Sequence, residues 1–132
     1  MIMLDTNICI YILKKHPPEV LEKFSHYKSM YISSIVYAEL QYGIELSPNK
    51  VKKIRQEQLW DFVSLLSIKS WDKSAADNYA RIRASLRRQG NSIGNMDMLI
   101  AAHAISNDAI LVTNNSHEFD RVPNLQLENW IE

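Results

Sequence analysis

Short apolar runs recur along the chain, each closing on polar residues and each leading into a segment patterned as a helix. "MIML" stops on Asp5-Thr6, and the run at 30–32 stops on Ser33-Ser34. Runs at 65–68 and 109–112 behave likewise, and 125–127 adds a last edge strand, while helical patterns occupy 7–13, 19–26, 34–46, 49–63, 72–89 and 97–107. Strand alternating with helix predicts an α/β fold built on a mostly parallel sheet. The clearest helix is 72–89: Ala75, Tyr79, Ile82 and Leu86 form one stripe, Asp72 can cap the start, Gly90 supplies the end, and Arg81, Arg83, Arg87 and Arg88 occupy the exposed side.

Only three glycines occur, which argues against a hairpin-rich all-β fold and against a glycine-rich phosphate loop. With 132 residues, a single domain over 1–132 is expected. Lys plus Arg and Asp plus Glu stand equal at 15, so no global field draws the protein to nucleic acid or membrane, and any such binding must come from local patches. The single cysteine, Cys9, excludes an internal disulfide and fits a small core residue. The first residues lack a basic leader with a cleavage site, and the apolar runs are far shorter than the ~20 residues that span a bilayer. A soluble, cytoplasmic protein is expected.

In a parallel sheet the ligand site lies beyond the carboxyl ends of the strands. Asp5 follows the first run and Thr113-Asn114-Asn115 follows the fourth, so parallel strands would bring Asp5 and Asn115 to one edge. Asp5 fits equally as a helix N-cap. Glu39, in "SSIVYAELQYG", falls on or beside the stripe that should face the core, with no Lys or Arg within four residues. Burying an unpaired charge costs several kcal/mol, so this acid must meet a cation, become protonated or lie at a cleft, the plain alternative being a half-exposed Glu at the margin of the stripe. Asp97 carries a carboxylate into the first turn of "MLIAAHAI", an almost wholly apolar helix, where capping and the helix dipole also favour it. Three acids at the polar ends of apolar elements would repel one another unless a divalent cation neutralised them. Oxygen ligands without a His or Cys cluster point to Mg²⁺ or Mn²⁺. His103 reads as a hydrogen-bonded core histidine and His117 as a loop residue.

Taken in order, "MLDTNI", "ISSIVYAELQYG", "IRASLRRQG", "IGNMDMLIAAHA" and "LVTNNSHEF" resemble a PIN-domain ribonuclease of the VapC type, the toxin of bacterial toxin and antitoxin pairs. The resemblance implies a three-layer α/β/α sandwich whose acidic pocket binds Mg²⁺ or Mn²⁺ and cuts RNA, leaving a 5′-phosphate. Asp5, Glu39 and Asp97 fall on the family's most regular acids, and Asn115 on a fourth position that is Asp in many members. Thr6 and Thr113 fall on hydroxyl positions that orient the site. The resemblance also implies a small antitoxin that inserts near the acids, a homodimer, and a structured RNA substrate such as transfer RNA. Arg83 and Arg87 are expected to bind RNA or the antitoxin. The rival reading is a catalytically silent RNA- or partner-binding module on the same fold.

Overall fold

The computed structural model describes residues 1–131. Strands β1 (Ile2–Leu4), β2 (Tyr31–Ser33), β3 (Ser67–Lys69), β4 (Ile110–Val112) and β5 (Gln126–Glu128) form one sheet in the order β3-β2-β1-β4-β5, with every neighbouring pair parallel. Helices α1 (Thr6–Lys14), α2 (Pro18–His26), α3 (Ser34–Glu45), α4 (Asn49–Val63), α5 (Lys73–Arg88), α6 (Asn95–Ser106) and α7 (Ser116–Phe119) flank it. Parallel neighbours need crossover connections, and the helices between the strands supply them. The earliest strand, β1, lies in the middle, bonded to β2 on one side and β4 on the other. Chain direction across the sheet therefore reverses beside β1, the point at which open α/β sheets leave a crevice.

The core explains why the central runs are continuously apolar. Met3, Leu4, Ile32, Leu111 and Val112 are almost completely buried, as strands covered on both faces must be. Helix α5 buries Ala75, Ile82 and Leu86, starts where Asp72 accepts from the Ala75 amide (3.0 Å), and is followed by Gly90 at φ 66°. Helix α6 buries Met98, Ile100, Ala101, Ala102, His103 and Ala104, on nearly all sides. His103 Nδ1 lies 2.8 Å from Ser33 Oγ, which ties α6 to the start of α3. No helix among the described residues is long and apolar enough to cross a membrane.

Element boundaries differ from expectation in physically readable ways. The third strand begins at Ser67, because Leu65 and Leu66 close the turn after α4 through bonds to Phe62 and Val63 carbonyls. Helix α6 begins at Asn95, so Asp97 lies inside its first turn. His117, expected in a loop, sits on α7.

Cys9 is fully buried on α1, and burial together with nearby Asp5 pushes its thiol well above the ordinary range. Because the thiolate is the reactive form, a thiol reagent is expected to titrate no cysteine in the native protein and one after denaturation, as followed by absorbance.

Candidate active site

The register of the central strands sets the first contact. Leu4 pairs with Val112, and the Asp5 amide donates to the Val112 carbonyl at 3.0 Å, so Asp5 and Thr113 emerge side by side. Thr113 Oγ1 donates to Asp5 Oδ2 and itself accepts from the Asn115 amide at 2.9 Å. The other carboxylate oxygen, Oδ1, accepts from the Ile8 amide at 3.0 Å and caps α1. Asp5 is thus both a helix cap and a member of the site. It is only 4% exposed, and both oxygens are held before any ligand arrives.

Glu39 arrives from α3, whose buried stripe is Val36, Leu40 and Ile44. Tyr42, on the same helix, is 66% exposed. Glu39 lies beside the stripe, half-buried, where Thr6 Oγ1 donates to its Oε1 at 2.5 Å. Asp97 arrives from α6, whose start is formed by Gly94 without a side-chain cap, so capping leaves this carboxylate free. Asp5, Thr6, Glu39, Asp97, Ile100 and Asn115 line one cleft of about 170 Å³. Every acid expected in the site reaches it, although the elements bearing them are far apart in the chain.

A further carboxylate escaped the sequence reading. Glu118 on α7 accepts from the Gly94 amide (2.8 Å) through Oε1 and from Asn115 Nδ2 (3.1 Å) through Oε2. Its one sequence signal is a position one helical turn after Asn115. A Cβ on Gly94 would lie 3.5 Å from Asp97 Oδ2 and 3.6 Å from Glu118 Oε1, so the two acids flank the same residue.

No ion pair among the described residues compensates the charge in the cleft. Among the described residues the ion pairs are Lys52–Glu45 and Lys73–Asp77, and none involves these four acids. Burial, then the neighbouring Glu118, Asp5 and Glu39 carboxylates, pushes Asp97 up to about 6. Glu118 moves the other way, held below its ordinary value by the Gly94 N–H and the Asn115 amide, so a shared proton belongs on Asp97. Burial raises Asp5 despite the opposing hydrogen bonds from Thr113 and the backbone.

Among the described residues, no three acids, histidines or cysteines close into a ready-made cage around one point. The donor set still suits a hard divalent ion, since Mg²⁺ usually keeps several waters and takes only one or two protein carboxylates. Arg83 and Arg87 do not enter this cleft; they line a separate one with Ser92 and Asn95.

The PIN domain family model matches residues 2–125. Ribonuclease VapC2 of Rickettsia felis is 48% identical over 97% of this chain and 96% of its own length. The tRNA(fMet)-specific endonuclease VapC of Shigella flexneri is 43% identical over 97% and 96%. Among solved structures, VapBC2 from Rickettsia felis bound to a promoter DNA fragment contains a chain that superposes with a TM-score of 0.92 at 46% identity, covering 98% of this chain and 99% of that one. A fold and a sequence that agree over nearly the whole length leave one assignment: the chain belongs to the PIN-domain family and, within it, to the VapC ribonucleases.

Proposed function

We propose that the protein is a metal-dependent endoribonuclease toxin, acting in the cytoplasm on a structured RNA such as transfer RNA and restrained by a cognate antitoxin. The observation that carries this reading is the meeting of Asp5, Glu39 and Asp97 at one cleft where, among the described residues, none of them forms an ion pair. Transfer RNA is the first substrate to try because the Shigella flexneri relative is named for it.

Asp5 and Asp97 would hold Mg²⁺ or Mn²⁺ most directly. When bound, such a cation lowers the pKa of water and offsets charge gathering on the scissile phosphate. Asp5 is kept from rotating by Thr113 and by the α1 cap. Glu39, steadied by Thr6 on Oε1, keeps Oε2 to accept a proton from the attacking water and aim its lone pair at phosphorus. Asn115 brings one negative charge fewer than an Asp would, and Glu118, bonded to its amide, returns that charge next to Asp97.

The antitoxin also has a place to dock. A groove of about 460 Å³ between α1, α3 and α4, lined by Leu13, Leu40 and Ile44 with Lys14 and Arg55, shares Glu39 with the acidic cleft. A peptide lying in this groove has its end at the acids, where a basic side chain would occupy the cation's place. The homodimer belongs to the same proposal, and light scattering of the free protein checks it.

The experiment is cleavage of total transfer RNA with Mg²⁺, with EDTA, and with Mg²⁺ restored. Cleavage is expected only with the cation, leaving 5′-phosphate ends. Glu118→Gln is expected to lower the rate about 10- to 100-fold, as loss of a supporting hydrogen-bond partner around a metal does. Cleavage that persists in EDTA refutes the metal, and failure to cut any cellular RNA favours a silent binding module.

A further inference from the structure

Away from the acids, α5 carries Tyr79, Arg83 and Arg87, each one turn beyond the last. Arg83 Nη1 donates to the Tyr79 hydroxyl at 2.8 Å, and its guanidinium sits 5.9 Å from the centre of that ring. The Tyr79 hydroxyl donates to Asn95 Oδ1 at 2.6 Å. Trp71 packs edge-on against Tyr79 at 6.0 Å and anchors its own Nε1 on the Leu99 carbonyl at 2.9 Å. Arg83 is therefore aimed by a chain of contacts that ends on the first residue of α6, the helix bearing Asp97.

Beside this chain lies a cleft of about 530 Å³, lined by Arg83, Arg87, Ser92 and Asn95, with the nearly buried Ile93 and Met98 as its apolar part. Among the described residues no carboxylate pairs with either guanidinium. Two like charges one turn apart repel, so the bare pair favours an anion between them. Asn95 spends Oδ1 on Tyr79, which leaves its Nδ2 free to donate. Guanidiniums, an apolar surface and an amide donor together match a nucleotide: phosphate, base face and base edge.

We propose that this cleft binds a single-stranded nucleotide of the substrate RNA next to the scissile bond, with its phosphate on Arg83 and Arg87 and its base against Ile93 and Met98. The inference rests on the ribonuclease reading and deepens it. Asn95 and Asp97 share one helical turn, so a strand whose phosphate lies at the acids reaches the second cleft by crossing the start of α6. An acidic peptide would satisfy the guanidiniums but brings no flat base to lie against the apolar surface.

Among the described residues the Arg87 side chain makes no hydrogen bond, and its backbone carbonyl, which closes the end of α5, is kept by any substitution, so its variants test the site cleanly. In transfer-RNA cleavage, Arg87→Ala is expected to raise KM about tenfold with kcat little changed, Arg87→Glu to raise it further, and Arg87→Lys to restore most of the loss. Binding of a short fluorescent single-stranded oligoribonucleotide in EDTA is expected to weaken in parallel, and the slope of log affinity against log salt to fall by about 0.7 per charge removed. Unchanged KM, binding and slope in both Arg87→Ala and Arg87→Glu would overturn the proposal. So would a loss confined to antitoxin affinity, or a change in oligomeric mass with RNA binding intact. If the wild-type protein cuts no RNA, the enzyme reading fails, and the oligoribonucleotide measurement still decides the cleft: equal binding by wild type and both variants overturns it.

Discussion

Asp97→Asn is expected to lower RNA cleavage by about 10³-fold or more and, in the same protein, to raise the melting temperature measured without metal. Loss of a direct cation ligand removes several kcal/mol of transition-state stabilisation, and about 4 kcal/mol corresponds to ~10³-fold in rate. The opposite sign on stability follows from the cleft. Folding moves the Asp97 carboxyl from 3.8 up to about 6, so at neutral pH the ionised form opposes folding. An amide of the same shape carries no charge to desolvate. The site is half-buried, and solvent screening reduces the gain to about 1 kcal/mol, or ~3 to 5 °C in Tm. Calorimetry and cleavage assays on one preparation check both effects. A variant that is both inactive and less stable would mean that Asp97 serves the fold and not the cation.

Stabilisation by Mg²⁺ or Mn²⁺ is expected to be large near pH 7.5 and much smaller near pH 5. A cation at about 100 times its Kd adds ~2.7 kcal/mol to stability. Asp97 titrates near 6 without metal, and each unit below that leaves tenfold fewer molecules with an ionised ligand, which removes about 1.4 kcal/mol of the effect. In the metal-free protein, the contributions of Asp5 and Asp97 carry the sign of raised carboxyls. Both are fully present below about pH 4; that of Asp97 is lost as pH rises through about 6, and that of Asp5 as pH rises through its own raised value. His103, lowered chiefly by burial, and Glu118, lowered by its hydrogen bonds, act in the reverse sense, losing stability as pH falls. The difference between wild type and Asp97→Asn largely cancels those two. Melting curves across pH 4 to 8, with and without cation, read the result directly, and a cation effect independent of pH would remove Asp97 from the ligand set.

Much of this site was visible before any coordinates, and the reason is chemical. An acid at the polar end of an apolar run conflicts with its surroundings, and Asp5, Glu39 and Asp97 each carry that conflict. Glu118 carries none. It belongs to the short helix Ser116–Phe119, too brief to show a period, in a polar segment where one more acid is unremarkable. Asp5 shows how two correct readings coincide, since one oxygen caps α1 while the other meets Thr113. The third strand was displaced because apolar Leu65 and Leu66 look like a strand while their amides close a turn. Arg83 and Arg87 are legible as exposed cations, but which cleft they line depends on how α5 packs on α6, a long-range fact that local pattern does not encode.

The central position of β1 has a consequence for the protein's birth on the ribosome. The partners of its last residue and of Asp5 lie at Val112 and Thr113, so the first acid made waits for the far end of the polypeptide before it is locked in place. Chains emerge N-terminal first, and such non-local pairing is completed late. A nascent copy that lacks this segment therefore has no assembled acidic cleft. For a ribonuclease, this ordering delays assembly of the acidic cleft until the segment bearing Thr113 has emerged and folded back.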